Sequence, residues 1–536
     1  MWARLASGLV PAALLAACGG GGGSSGSNGS PPPTPPPYSS VTLAQLSKAS
    51  TFFAGCDGVA PNGTLYVDTA AEPSFVVNPI NSMNLIAGWQ QNRWSTGGAQ
   101  GLSLAASFDG GTTWTPSSAA FSRCMGAAAG TAGDYARATD VWLTASPTSG
   151  AVFALSLSFT GGTLVPGSSS AMLVAQSLDG GRSWGAPVAL IQDGDQFFDD
   201  KGSITADPTD ANYVYAVWDR LSGASAGPAY FAVTANAGTT WAAASSIYDP
   251  GSANQTLGNQ IVVLPGDVVL DVFTELDTLG AQTTAQARLV RSLDHGTTWT
   301  TPTTIAELAP LGTVDPRTGQ AVRDGADIVT VSVAPGGAVY VAWQDARFSA
   351  GARDGIAMTH STDGGTTWST PIQVNADPSA QAFTPTVHVG ANGVIAVTYY
   401  DLRNDAFAPF GSLLADAWLV TSSDGSTFQE THLSGPFDMD LAPDSRGLFV
   451  GDYEALSSTT GFLPLYVQTD AGSAVRSDAF MAFPTVTASA HAAVAHAMGP
   501  FQAPTAPGGL ALPPSARQQI AERIETRRLE RRREPE

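Results

Sequence analysis

Cysteine is almost missing from this chain: 536 residues contain three, Cys18, Cys56 and Cys124. Basic residues are scarce as well, 24 Lys and Arg against 45 Asp and Glu, so the formal net charge is −21 although only 13% of residues are charged. A surface with that balance repels phosphate backbones, which argues against nucleic acid as a partner. Charge of either sign is absent from residues 5–17. That apolar stretch follows a short basic start, is too brief to span a bilayer as a mature helix, and fits a signal peptide. Export carries the chain to an oxidising compartment. There the two cysteines left after Cys18 are read as a disulfide, Cys56 with Cys124, rather than as a metal pair or a nucleophile.

Glycine and proline, by contrast, are plentiful, at 58 and 36 residues, and they punctuate a repeat. The phrase Ser-x-Asp-x-Gly-x-Thr-Trp stands at 107–114, 292–299 and 361–368, with SLDGGRSW at 177–184, a variant TANAGTTW at 234–241 and a shortened SSDGSTF at 422–428. Its acidic position is Asp109, Asp179, Asn236, Asp294, Asp363 and Asp424, at intervals of 57 to 70 residues. Such a period marks one supersecondary unit copied around an array. The phrase itself is a hairpin: Gly allows positive φ, Asp or Asn folds onto nearby amides, and Ser or Thr bonds across the turn. The closing Trp is an apolar plug between units. These residues build turns; they are not general acids.

Four β-rich runs accompany each box. Around the fifth they are 327–333, 338–345, 355–360 and 368–374. Four strands in a unit of about 60 residues make a propeller blade. Residues 449–456, 462–469 and 479–484 read as three strands of a further blade without a box, and 63–68 as its fourth. The expected fold is therefore all-β, a propeller of four-stranded blades over 41–490. Seven blades, six with boxes, is the reading, with a six-bladed ring as the alternative. Closing the ring with both chain ends removes exposed sheet edges.

The ends are separate pieces. Residues 1–17 are the signal peptide, and Leu15-Ala16-Ala17-Cys18 resembles the lipobox of bacterial lipoproteins. That resemblance implies a lipidated Cys18 as the first mature residue. Residues 18–40, rich in Gly and Ser and then Pro, make a tether. The expected location is extracytoplasmic, lipid-anchored to the cell envelope, at the outer membrane or cell surface. Residues 491–514 are an Ala/Gly/Pro-rich linker, and 515–536 an Arg/Glu-rich helical tail with Ser515 as its cap. The tail is read as a solvated or frayed helix, with binding to anionic lipid or polysaccharide as the other reading.

The boxes, their spacing and the export signal resemble the bacterial sialidases and the wider Asp-box (BNR-repeat) propeller superfamily. The resemblance covers residues 65–485 as a fold and implies an exo-α-sialidase-like glycoside hydrolase acting on extracellular glycans. In that family three Arg clamp a substrate carboxylate, a Tyr activated by a Glu is the nucleophile, and an Asp is the acid. The family's first clamp Arg lies in a Phe/Tyr-Arg-Ile-Pro phrase; the corresponding strand here, 72–79, reads EPSFVVNP and has no Arg. The loop for the acid, 90–101, holds Arg93 but no Asp or Glu.

In their place the chain repeats a motif at the end of strand two: Trp89-Gln-Gln-Asn-Arg93, Trp218-Asp-Arg220, Trp343-Gln-Asp-Ala-Arg347 and Tyr400-Asp-Leu-Arg403. Four Arg on the face opposite the boxes form an anion-binding funnel, or else each pairs with a neighbouring Asp and cements adjacent blades. Tyr453 and Glu454 are the local echo of a Tyr/Glu pair, although adjacent strand residues point to opposite faces. The acidic groups Asp199-Asp200, Asp324 with Asp327, and Asp438 with Asp440 fall in expected connections. Oxygen-rich loops suit calcium, but none shows a complete ligand pattern, so no cofactor is expected. Three functions stay open: a glycosidase or lyase on an acidic glycan, a tethered glycan- or protein-binding module, and an envelope-assembly lipoprotein. A monomer is expected.

Overall fold

The computed structural model describes residues 38–485 and 512–532, apart from 224, 281, 408–410 and 473–475. Cys18, the signal peptide, the tether up to residue 37, the linker over 486–511 and residues 533–536 lie outside the described residues.

Among the described residues, seven four-strand antiparallel units follow one another. Their innermost strands are Leu65–Val77, Arg137–Ala145, Phe197–Ala206, Gln255–Leu264, Thr330–Val333, Ala382–Val389 and Ala455–Ser458. Each touches the next, and the seventh touches the first, so the units close a ring of blades. Blade seven continues with Phe462–Thr469 and Ser477–Thr485, and its outermost strand is Ser40–Gln45, paired in antiparallel register from Ser40 with Thr485 to Gln45 with Phe480. The expectation that residues 63–68 supply this strand is thus corrected. Residue 65 already begins the inner strand of blade one, and an earlier segment closes the ring.

Apolar side chains alternate along the strands and meet between blades. Ile86, Leu104 and Val141 fill one interface, and Val217, Phe231 and Val269 another. The boxes sit at the turns between third and fourth strands and lock onto these interfaces. In the fourth box the Ser292 hydroxyl donates to Asp294 Oδ1 at 2.8 Å and accepts the Gly296 amide at 2.8 Å. Asp294 then accepts the Thr298 amide at 2.8 Å and its hydroxyl at 2.7 Å. The variant Asn236 makes the same pattern, with its amide donating to Thr240 Oγ1. These bonds hold the box carboxylates low; Asp109 falls to about 2, chiefly through Thr113. Gly296 has φ +86°, and a Cβ there would stand 2.4 Å from Phe231 of the preceding blade. The glycine is therefore demanded by the neighbour as much as by the turn.

Cys56 and Cys124 form a disulfide that ties the segment before blade one to the segment after it. The tail helix, Pro514–Arg532, starts with Pro514 rather than being capped by Ser515, in keeping with proline's preorganised φ at a first helical position. Over the described residues one face of it is docked on the ring, where a solvated or frayed helix was expected. Ala516, Ile520 and Ile524 are buried, the last two packing with Leu276, Leu308 and Leu311 of blade four and its outgoing connection. No described helix is long and apolar enough to cross a membrane.

Candidate active site

The inner strands share a distortion that builds the centre of the molecule. In five blades the register slips by one residue after Ala71, Thr139, Asp200, Leu257 and Phe383. The next residue takes positive φ: Glu72 (48°), Asp140 (53°), Lys201 (46°), Gly258 (64°) and Thr384 (50°). Such a bulge bends a strand and re-aims a side chain. In blades five and seven a glycine with positive φ, Gly325 and Gly451, precedes the inner strand. Neither has room for a Cβ, which would meet Asp452 O at 2.1 Å and Glu72 N at 3.0 Å respectively.

Three of these bulge residues are charged, and they converge. Lys201 Nζ lies 3.0 Å from Glu72, 2.7 Å from Asp452 and 4.0 Å from Asp140. Arg323 holds the other side of Asp452, its Nη2 donating at 2.7 Å. Gln90 donates to Glu72 and to Thr139, and accepts from Arg93 at 2.6 Å. The ring of Phe449 carries the guanidinium carbons of Arg93 and Arg323, each 4.5 Å from its centroid. The Tyr453 ring stands 5.5 Å from Lys201 Nζ and 5.5 Å from Trp142, and its buried hydroxyl has no hydrogen-bond partner.

This packing separates the carboxyls by charge state. Burial pushes Glu72 up to about 8, against the pull of Lys201, with Asp140 and Asp452 pushing the same way as burial. Burial also opposes ionisation of Asp452, but Arg323 and Lys201 overcome it and hold Asp452 well below the usual carboxylate range. Asp140 is likewise held low, by Lys201 and then Glu72, against burial. One neutral carboxyl thus stands among ionised ones at neutral pH.

The four motif arginines do not form a funnel. Arg220 pairs bidentately with Asp193 of blade two, both contacts at 2.6 Å, and stacks on Phe197. Arg347 is held by Asp345 at 2.8 Å and reaches the carbonyl of Glu307 on blade four. Arg403 bridges Asp401 and Glu430 over the Trp418 ring. These three staple strands and blades together, and in two of them the motif's Asp also accepts an indole: Asp345 takes Trp343 Nε1 at 2.7 Å and Asp401 takes Trp418 Nε1 at 3.0 Å. Arg93 alone of the four reaches the centre. Tyr453 and Glu454 part company as alternation requires: Glu454 accepts the Tyr400 hydroxyl at 2.5 Å, away from Lys201.

The acidic groups expected in connections also find protein partners. Asp199 lies inside an inner strand, bonded to Ser170 and the Trp218 indole, and Asp438 takes the Leu413 amide. Among the described residues no group of three or more His, Cys, Asp or Glu is placed to hold a metal ion. Of these central residues the sequence singled out Asp452 beside Tyr453 and Glu454, placed Lys201 and Arg323 only in acidic connections and Glu72 only in the strand without an Arg, and passed over Asp140. Their signal was present, a charged residue just ahead of or within the first apolar strand of a blade, but it does not resemble a turn.

The tail helix lies over this centre, on the face opposite the boxes. Arg527 pairs bidentately with the buried Asp327, at 2.9 and 2.7 Å, and Arg531 adds a third contact at 3.1 Å. Beneath it is a cavity of about 130 Å³ lined by Arg323, Asp324 and Asp452 below and Arg523, Arg527 and Arg531 above.

No family model matches the chain, and no curated protein matches it. Among solved structures it is similar to an α-L-arabinanase of Penicillium chrysogenum complexed with arabinobiose, at 14% identity and TM-score 0.42, over 66% of this chain and 94% of that one. It is similar to the Hadza microbial sialidase Hz136, at 15% identity and TM-score 0.43, over 74% and 76% of the two chains. A third similar structure is the NanB sialidase from Streptococcus pneumoniae, at 9% identity and TM-score 0.42, over 82% and 98%.

Proposed function

We propose that the protein is a propeller glycoside hydrolase of the extracytoplasmic space, lipid-anchored at Cys18, with Glu72 as proton donor and Asp452 as its partner carboxylate. One observation carries this reading: a neutral carboxyl and an ionised one share a single ammonium, at 3.0 and 2.7 Å from Lys201. Environments that push two carboxyls apart in pKa assign acid and base. Carboxyls on one ammonium stand at about the ~5–5.5 Å separation of a retaining pair, or less. Glu72 gives its proton to the leaving glycosidic oxygen, Asp452 attacks the sugar carbon, and Glu72, now a carboxylate, deprotonates the water that releases the product.

The substrate class that fits is a neutral glycan. Lys201 and Arg323 are engaged by carboxylates and Arg93 by Gln90, and the other three motif arginines are spent on staples. Among the described residues no three-arginine clamp for a sugar carboxylate assembles, which weighs against sialosides. A panel of fluorogenic glycosides, neutral ones and sialosides, assayed with wild type, Glu72→Gln and Arg347→Ala, tests this. Expected are turnover of a neutral member, loss of at least about 10²-fold in Glu72→Gln, and little change in Arg347→Ala. Absence of turnover on every member refutes the enzyme and leaves a glycan-binding propeller.

A further inference from the structure

The tail helix is attached to the ring in an unusual way. Its apolar anchors on the ring are few, Ala516, Ile520 and Ile524. Glu525 accepts the Thr283 hydroxyl and the Glu530 carbonyl accepts Arg446, but most of the remaining grip is a row of arginines at the C-terminal end, where the helix dipole favours cations. Each guanidinium enters a socket of oxygens. Arg527 and Arg531 take Asp327. Arg528 takes the carbonyls of Ser225 and Ala253 and the Thr278 hydroxyl. Arg532 takes the carbonyls of Gly223 and Ala226 and Gln255 Oε1.

None of this belongs to the sheet ladders. All seven blades complete their strand pairing without the helix, so its departure breaks no ladder hydrogen bond. Beneath it lie the cavity over Arg323 and Asp452 and Asp219, fully buried, with neither carboxylate oxygen in a hydrogen bond. Residues 486–511 join the helix to the last strand of the ring in sequence.

We propose that Pro514–Arg532 is a dissociable cover: it detaches as a unit while the ring stays folded, and its detachment opens the central face to ligand. This rests on the reading of that face as the ligand site, but the cover is a physical property that can be measured without turnover. Asp327 is its latch. The sockets read guanidinium groups, so opening grows with ionic strength as the exposed parts of these pairs are screened.

Native-state amide hydrogen exchange on the full-length protein tests the cover, since it distinguishes local opening from global unfolding. The peptides to follow are 514–532, 323–326 at the cavity mouth, and 268–279 in blade four. The expected result is that 514–532 and 323–326 exchange far faster than 268–279. Raised NaCl should accelerate the first two alone. Asp327→Asn should accelerate helix exchange roughly a hundredfold, the scale of breaking a buried ion pair, and Arg531→Gln less, with 268–279 unchanged. If Asp327→Asn fails to fold, Arg531→Gln and the salt series carry the test by themselves. The proposal is overturned if helix and strand amides exchange together in every condition, or if the helix opens while 323–326 stays protected. Absence of glycoside turnover alongside the expected exchange pattern would refute the enzyme and leave the cover standing.

Discussion

Replacing Lys201 with methionine removes the cation at the centre of the ring while keeping the length and apolar stem of the side chain. Three carboxyls face that ammonium, yet they do not lose equally. Glu72 is already neutral near pH 7, and Asp452 keeps Arg323 at 2.7 Å. Asp140 loses its chief counter-ion. Removing one partner of a buried pair costs about 3–5 kcal/mol; Asp140 keeps the Thr139 hydroxyl at 2.9 Å, which places Lys201→Met at the lower end of that range at pH 7. The pH dependence is the sharper signature. In the wild type, Asp140 and Asp452 sit below their usual range, so their stabilisation is present above the unfolded pKa and is lost on acidification. In the variant, burial raises Asp140. Its folded form is then favoured below the unfolded pKa and loses ground as pH rises. The gap between variant and wild type should shrink by about 2 kcal/mol or more between pH 7 and pH 4. Urea unfolding followed by tryptophan fluorescence at several pH values measures it. A loss below about 1 kcal/mol, or a gap that does not change with pH, would refute the argument that these charges hold one another in the folded ring.

Two further outcomes follow from packing. Gly296→Ala and Gly266→Ala place a methyl at the same φ of +86°, but only the first collides with a neighbour, Phe231 at 2.4 Å, while the second meets nothing within 4 Å. Gly296→Ala should cost about 2–5 kcal/mol and Gly266→Ala about 1 kcal/mol by chemical unfolding; equal losses would show that the boxes serve only as turns. Replacing Cys56 and Cys124 together by serine opens a loop of 68 residues, which by chain entropy costs about 4 kcal/mol. An unchanged unfolding midpoint in the double variant would mean that the blade contacts alone fix that segment.

The ring was legible because its signals are local. A box needs particular turn residues, and they recur in order, as do the apolar alternations around them. The centre was not legible, because a bulge that points Glu72, Asp140 or Lys201 at the axis uses residues with no turn signature. Glu72 stood in plain view as the start of the strand that lacked an arginine. The Trp-Asp-Arg motif left two readings open for a related reason: sequence does not say whether a guanidinium points inward or sideways. Neighbouring carboxylates decided for sideways, Asp193 for Arg220, Asp345 for Arg347, and Asp401 with Glu430 for Arg403. The tail's arginines found backbone carbonyls and one buried Asp, and neither target leaves a mark in a sequence.

The strand Ser40–Gln45 completes a blade whose other strands come from the far end of the propeller. During synthesis that strand emerges before the rest of the ring and has no partner until more than 400 residues later, when Thr485 arrives. The last blade therefore assembles only after the other six are available, and the nascent protein waits as an open crescent with two unpaired edges. Contacts so distant along the chain are slow to form, and the crescent is the species most exposed to misassembly with its copies.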